Sequence, residues 1–261
     1  MIDLSRLAPT LGSRIALVGA CGGIGSCLVE AALAQGMQVA NLDMPISIAK
    51  RPALPGEWQI PCDASVSGDI AQGFSQIGER WGALDGLVYL AGFTPPVTPI
   101  RDMDEDTWDA VMNVNIRGAF LSVRAALPLL DKGRDAAIVL TSSGLSVSAD
   151  KGTGPYAAAK GAINTLTRNL AKESAPAIRV NAVAPGPIDT AFLSGGTGRG
   201  GEAGKREGWF ERARPAIEAT IPQGRLGQPE DIVGPILFLL GQASRYMTGQ
   251  ILYVNGGRLM F

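Results

Sequence analysis

Short apolar or β-branched runs alternate with longer amphipathic segments along nearly the whole chain, and this alternation constrains the fold more than any other feature. The runs RIALVGA, MQVANLD, WQIPCD, LDGLVYLAG, AAIVLTSS, IRVNAVAPG and QILYVNGG read as strands, being short, apolar and closed by glycine, aspartate or serine. Between them, Ile24 to Gln35, Val66 to Trp81, Thr107 to Leu130, Tyr156 to Ser174 and Pro229 to Leu240 have the length and periodicity of helices. Strands joined through helices run parallel, and right-handed crossovers wind them in both directions. The expected class is therefore α/β: a Rossmann-type, doubly wound sheet of seven parallel strands with helices on both faces, one domain over residues 1–261. One stretch departs from this regularity. Within residues 191–217, glycine and charge crowd together as SGGTGRGGEAGKREG ahead of Trp209 and Phe210. A mobile flap over the site is one reading and a solvated loop the other.

A sheet of this kind binds ligands at the carboxyl ends of its strands. After the first strand, Gly19-Ala20-Cys21-Gly22-Gly23-Ile24-Gly25 makes a GxxxGxG turn into a helix. Such a turn lets backbone N–H groups approach a pyrophosphate at the helix start, although a ligand-free tight turn uses the same residues. Asp43 closes the second strand, 18 residues beyond Gly25, where a carboxylate accepts hydrogen bonds from a ribose. Asp63 closes the third, as a further cofactor contact or as an Asx turn. Ala91 and Gly92 close the fourth, small enough for a flat ring to lie against the backbone.

Composition removes whole classes of function. The chain contains no histidine, so Ser-His-Asp hydrolysis, histidine proton shuttles and histidine metal ligation are excluded. The three cysteines, Cys21, Cys27 and Cys62, show no metal-ligand spacing, and no metal is expected. With 23 Lys+Arg against 24 Asp+Glu, no strong field draws nucleic acid or an anionic membrane. The N-terminal segment resembles no leader, and the apolar run Ile232 to Leu240 is too short to cross a bilayer, so a cytoplasmic setting is expected.

Acid-base chemistry near neutral pH must then come from another residue type. Tyr156 and Lys160 stand four apart in GPYAAAKGA, on one face of a predicted helix that starts at Gly154-Pro155. To act as a base, the phenol must fall from about 10 to near 7, which corresponds to about 4 kcal/mol. One ammonium at about 4 Å in an effective dielectric near 20 supplies roughly that amount. A tyrosine and lysine so spaced also occur on ordinary amphipathic helices, and Ser143 narrows the choice. It lies at the carboxyl end of AAIVLTSS, placed to donate to the carbonyl oxygen that Tyr156 would protonate.

Together these residues resemble the short-chain dehydrogenase/reductase family, in its single-domain form, from about Ser13 to Met260. The likeness rests on Gly19, Gly23 and Gly25, on Asn115 in WDAVMNVNIRGAF, on Ser143 thirteen residues before the tyrosine, and on Tyr156 with Lys160. It extends through NAVAPGPIDT to the last helix and strand. The resemblance implies that Tyr156 is the acid/base, that Lys160 lowers its pKa and grips the nicotinamide ribose, and that Ser143 orients the substrate oxygen. It implies that Asn115 holds a water in a proton relay through Lys160; a helix asparagine bonding its own backbone is the alternative. Ile24 belongs to the pyrophosphate turn, Pro185 and Gly186 to the turn lining the nicotinamide, and Ile188 and Thr190 would contact its carboxamide. Two positions depart from the family pattern: Val18 replaces a threonine, and Tyr89-Leu90-Ala91-Gly92 replaces NNAG, removing hydrogen bonds that brace the turn.

The expected reaction is hydride transfer between a nicotinamide cofactor and a small secondary alcohol or ketone. NAD is the expected cofactor, because Asp43 suits a free 2′-hydroxyl and repels a 2′-phosphate. Relatives that use NADP place a basic residue in the glycine turn or just after the second strand, where this chain has Cys21, Gly22 and Met44. Lys50 and Arg51 come next, after a Pro45-containing loop that could fold back. Two alternatives share the framework: an NADPH-linked 3-oxoacyl thioester reductase, and a nucleotide-sensing scaffold without turnover. Phe93, Pro95, Leu145, Pro187, Phe192, Trp209 and Phe210 are candidate pocket walls. The family implies a homotetramer, which would also cover Leu259, Met260 and Phe261.

Overall fold

The computed structural model describes residues 7–193, 195 and 203–260, with backbone alone over 203–209. Seven strands, β1 (Arg14–Val18), β2 (Gln38–Asp43), β3 (Glu57–Pro61), β4 (Gly86–Tyr89), β5 (Ala137–Thr141), β6 (Arg179–Pro185) and β7 (Ile251–Val254), form one sheet. Its order is β3-β2-β1-β4-β5-β6-β7, and every pairing is parallel. The order reverses between β1 and β4, which opens a crevice beyond their carboxyl ends.

Strand alternation builds the two cores. Ala16 and Val18, Ala40 and Leu42, Leu87 and Tyr89, and Ile138 and Leu140 point to one face. There they meet α3 (Ser67–Trp81), α5 (Gly118–Leu130) and α7 (Gly154–Ser174). Ile15, Leu17, Val39, Val88 and Val139 point the other way, to α1 (Gly23–Ala34) and α9 (Pro229–Leu240). Because both faces are covered, the strands are apolar throughout rather than alternately polar.

Three local differences from the expected elements matter for the site. The helix expected over 107–130 is interrupted: α4 (Glu105–Met112) passes through a π turn at Asn113–Arg117 before α5 begins. Asp104 starts α4 by accepting the Thr107 N–H at 2.7 Å. The loop after β2 does fold back, as the short helix α2 (Pro45–Lys50) with Pro45 in its first turn. The segment expected as flap or loop over 191–217 is partly helical, since α8 covers Ala203–Glu218. Glycine stops dominating after Gly204, and the Lys, Arg and Glu that follow are good helix formers. Most of the glycine-rich stretch, residues 194 and 196–202, lies outside the described residues. Among the described residues, no helix is long and apolar enough to cross a membrane.

Candidate functional site

One continuous cavity of about 960 Å³ runs along the carboxyl ends of the strands, at the upper end of the size range of small-molecule sites. Gly19, Gly23, Ile24, Gly25, Asp43, Asp63, Ala91, Gly92, Ser143, Tyr156, Lys160, Pro185, Gly186, Ile188 and Thr190 all line it.

At one end the glycine turn is held by backbone contacts so close that side chains are excluded. Gly19 has φ +86°, and a Cβ there would stand 2.5 Å from Ala91 Cα. At Gly23 a Cβ would stand 2.5 Å from Thr190 Cγ2, and at Gly25 it would strike the Ala20 backbone. The side-chain brace lost at Val18 and Leu90 is replaced by the main chain: the Leu90 and Ala91 N–H groups both donate to Val18 O, at 2.8 and 2.9 Å. The Gly19 N–H donates to Leu42 O at 2.8 Å. Asp43, buried at the end of β2, accepts the Cys21 N–H on one oxygen and the Met44 N–H on the other, each at 2.7 Å. Its carboxylate thus ties the glycine turn to the start of α2 while still lining the cavity. Asp63 takes the Asx-turn arrangement, accepting from the Ser65 N–H at 2.8 Å and the Ser65 hydroxyl at 2.7 Å.

At the other end α7 carries Tyr156 and Lys160, both buried. Burial pushes the Tyr156 phenol up to about 12, with an opposing hydrogen bond from Ser143. Burial pushes the Lys160 ammonium down to about 7. In the chain without cofactor, Lys160 is not among the causes that shift Tyr156. The Lys160 Nζ lies 5.5 Å from the Tyr156 ring centroid and donates instead to Thr141 O at 2.8 Å. Desolvation dominates both groups and favours their neutral forms.

Asn115 sits in the π turn. Its amide donates to Val111 O, four residues back, at 3.1 Å and to Phe93 O at 3.0 Å. The self-bonding alternative therefore holds for the amide nitrogen. The Oδ1 atom is buried without a hydrogen-bond partner among the described residues. It faces Gly92, where a Cβ would stand 2.5 Å from it and 3.6 Å from Lys160 Nζ. Asn115 does not itself line the cavity; its orphaned acceptor lies behind the lining residue Gly92 and near Lys160, a place for a buried water.

Two features escaped the sequence. Beneath Ser143, the Ser142 hydroxyl donates to Asn164 Oδ1 at 2.6 Å, the Asn164 amide to Ser146 Oγ at 2.9 Å, and the Ser146 hydroxyl to Ser143 O at 2.6 Å. This chain fixes the backbone on which Ser143 stands; the spacing of Asn164, four residues after Lys160 on the same helix, was the available signal. The C-terminal turn also enters the cavity. Asn255 accepts the Gly257 N–H at 3.0 Å and donates to Leu259 O at 2.9 Å. Leu259 consequently packs against Gly144 rather than standing in water, which corrects part of the expectation for the tail. Met260 is 81% exposed, and Phe261 lies outside the described residues.

Phe93, Pro95, Leu145, Pro187, Phe192 and Phe210 line the cavity as expected, and the side chain of Trp209 lies outside the described residues. Phe192 covers Tyr156 with ring centroids 6.1 Å apart.

The closely approached glycines, the anchored carboxylate on β2 and the orphaned Asn115 oxygen beside Lys160 fit an elongated dinucleotide with hydroxyls at both riboses. Fold and site together define a nicotinamide-dinucleotide oxidoreductase acting on alcohol and carbonyl groups. The chain belongs to the short-chain dehydrogenase/reductase family: residues 19–258 match the family described as enoyl-(acyl carrier protein) reductase. It is 34% identical to a 3-oxoacyl-[acyl-carrier-protein] reductase of Thermotoga maritima, covering 94% of this chain and 97% of that one. It is also 34% identical to 2-(S)-hydroxypropyl-CoM dehydrogenase 3 of Xanthobacter autotrophicus, over 93% and 95% of the two chains. A solved 3-ketoacyl-(acyl-carrier-protein) reductase from Brucella melitensis, complexed with NADH, superposes with a TM-score of 0.85 at 26% identity. That match covers 96% of this chain and 99% of the other.

Proposed function

We propose that this enzyme transfers hydride between NAD(H) and a small substrate bearing a secondary alcohol or ketone, with Tyr156 as acid/base. The observation that carries the reading is the meeting of Tyr156, Ser143 and Lys160 at one end of the cavity, with the unpartnered Asn115 oxygen buried behind Gly92. When bound, the nicotinamide supplies or accepts the hydride. A neutral Tyr156 is a proton donor at neutral pH, so in reduction its hydroxyl gives a proton to the carbonyl oxygen. Ser143 donates a second hydrogen bond to that oxygen. Asn115 Oδ1 holds a water beside Lys160, through which the tyrosine proton returns.

Gly19, Gly23, Ile24 and Gly25 bring first-turn N–H groups to the pyrophosphate. Asp43 receives the adenosine ribose, with Asp63 next along the sheet edge; Lys160 reaches the nicotinamide ribose. Ala91, Gly92, Pro185, Gly186, Ile188 and Thr190 enclose the nicotinamide end. The apolar side chains near Tyr156 favour a partly apolar substrate, and Phe192, Leu193, Phe210 and Ile217, lining residues within 191–217, cover it as a flap on one single-domain scaffold. The chain works as a cytoplasmic homotetramer, in which Phe120 on α5, 44% exposed, and the half-buried edge strand β7 meet partner copies. The likeness to two acyl-carrier-protein reductases favours 3-oxoacyl thioester reduction as a second reading.

The test is NADH consumption with diketones, simple ketones and a 3-oxoacyl thioester, and NAD reduction with secondary alcohols, for wild type and Tyr156→Phe. Turnover in wild type with at least a 100-fold lower kcat in the variant is expected. Cofactor binding without turnover on every substrate would mark a sensor instead.

A further inference from the structure

Arg51 follows α2 directly and, with Cys21, Asp43, Ser47 and Lys50, lines the glycine-turn end of the cavity. Burial pushes the Cys21 thiol up to about 11, Asp43 adds to this and the charge of Arg51 opposes it, so the guanidinium stands within Coulombic reach of the turn. A cation so placed would ordinarily serve a 2′-phosphate.

Both terminal nitrogens of the guanidinium are already engaged, while Nε is buried without a hydrogen-bond partner among the described residues. Arg51 gives Nη1–H to Glu57 Oε2 at 2.8 Å and Nη2–H to Glu57 Oε1 at 2.6 Å. Glu57 opens β3 with its side chain wholly buried. Its carboxylate also accepts from the Asn41 amide at 2.8 Å and the Leu54 N–H at 2.9 Å, so each oxygen holds two donors. That fills the capacity of a carboxylate and leaves no bond to trade. Pulling Arg51 toward another anion would strand a buried negative charge, which is costly.

Resting on the dinucleotide reading above, we propose that Glu57 sets cofactor choice by withholding Arg51 from the 2′ position of the adenosine ribose. Asp43 repels a 2′-phosphate directly, and Glu57 removes one of the two cations at this end, Arg51 beside Lys50, that could offset that repulsion. Glu57 is a specificity residue acting through Arg51, without touching the cofactor. A purely architectural ion pair would affect stability and leave discrimination at the 2′ position unchanged.

The experiment measures binding of adenosine 5′-monophosphate and adenosine 2′,5′-bisphosphate by calorimetry, with no catalytic step involved. The affinity ratio is compared among wild type, Glu57→Gln and the double variant Glu57→Gln/Arg51→Met, each checked for folding by circular dichroism. Wild type should favour the monophosphate. Glu57→Gln should shift the ratio toward the bisphosphate by about tenfold, the worth of a hydrogen bond to a charged group, and the double variant should return it to the wild-type value. A ratio in Glu57→Gln within twofold of wild type overturns the proposal. If Glu57→Gln does not fold, the double variant decides, because it leaves no buried charge unpaired. An unchanged ratio supports the withholding of Arg51, and a tenfold loss of relative bisphosphate affinity overturns it. Failure of wild type to bind the monophosphate at all would sink the dinucleotide reading itself, and this inference with it.

Discussion

The Tyr89 hydroxyl donates to the carbonyl oxygen of Val114, inside the π turn that carries Asn115. Tyr89 is fully buried at the end of β4, at the first of two positions where the family pattern has asparagine. A π turn widens the helix and releases a carbonyl from its usual partner, and here the phenol engages one of them. Gly118 allows the approach, since a Cβ there would strike the Tyr89 oxygen.

Tyr89→Phe should therefore loosen the π turn while keeping the ring in the core. Loss of one buried hydrogen bond is expected to cost about 1–2 kcal/mol of stability. If the turn positions Asn115, kcat should fall about tenfold with KM for cofactor little changed, given the size of general acid-base effects. Equal kcat in wild type and variant, with only a lowered Tm, would show that the bond is structural alone.

A pH signature follows from Lys160. Its folded pKa, near 7, lies below the ordinary lysine value of 10.5. Between these values the unfolded chain holds the proton and the folded chain does not, so stability rises with pH across about 7 to 10. Tyr156 has the opposite sign at higher pH: folded it stays protonated to about 12, so stability falls from about 10 upward. In thermal melts of the cofactor-free enzyme from pH 6.5 to 9.5, wild type should gain stability relative to Lys160→Met. Parallel curves would show that Lys160 keeps its charge in the empty cavity. The same variant should bind NAD more weakly, through loss of the ribose contact.

The carboxyl end of α9 is held by Arg179 from β6 together with the Ser244 hydroxyl. Arg179 donates to Leu239 O at 2.7 Å, Leu240 O at 3.0 Å and Gly241 O at 3.2 Å, and to the Ser244 hydroxyl at 2.7 Å. These carbonyls have no partners within the helix. Arg179→Met is expected to cost about 3 kcal/mol by removing these hydrogen bonds from a charged donor and leaving Leu240 O unpaired, while Leu239 O and Gly241 O keep the Ser244 hydroxyl. In a chain of this size that lowers Tm by roughly 6–12 °C. Activity per folded molecule should be unchanged, since α9 packs on the face with α1 and Arg179 does not line the cavity.

The sheet and the chemistry-bearing residues were legible for different reasons. Strand alternation and glycine punctuation are periodic signals, and six of the seven strand ends carried one recognisable residue: Gly19, Asp43, Asp63, Gly92, Ser143 and Gly186. What stayed hidden depends on tertiary contact. The π turn leaves no mark in the apolar spacing of residues 107–130, because Asn115 and Gly118 fit an α-helix equally well in sequence. The burial that raises the Tyr156 pKa in the cofactor-free chain, and the contact that Lys160 makes with Thr141, also depend on packing that spacing does not record. Glu57 carries no signal of its own in the sequence, and only the fold shows Asn41 and Arg51 meeting it.

Cofactor choice gives the last prediction, and the structure changes which variant tests it best. Asp43 does two things at once: its charge stands at the ribose end of the cavity, and its oxygens hold the Cys21 and Met44 N–H groups. Asp43→Ala would remove both, so a loss of NAD affinity there would mix discrimination with collapse of the glycine turn. Asp43→Asn removes the charge, keeps the shape and retains one acceptor for one of the two N–H groups. Wild type should prefer NAD over NADP by at least about tenfold in kcat/KM, the worth of one close like-charge repulsion. Asp43→Asn should erode most of that preference by improving NADP use, with a smaller loss for NAD. Asp43→Ala should weaken both cofactors together. If wild type used NADP as well as NAD, the ribose role of Asp43 would be wrong, while Tyr156, Ser143, Lys160 and Asn115 would keep their places.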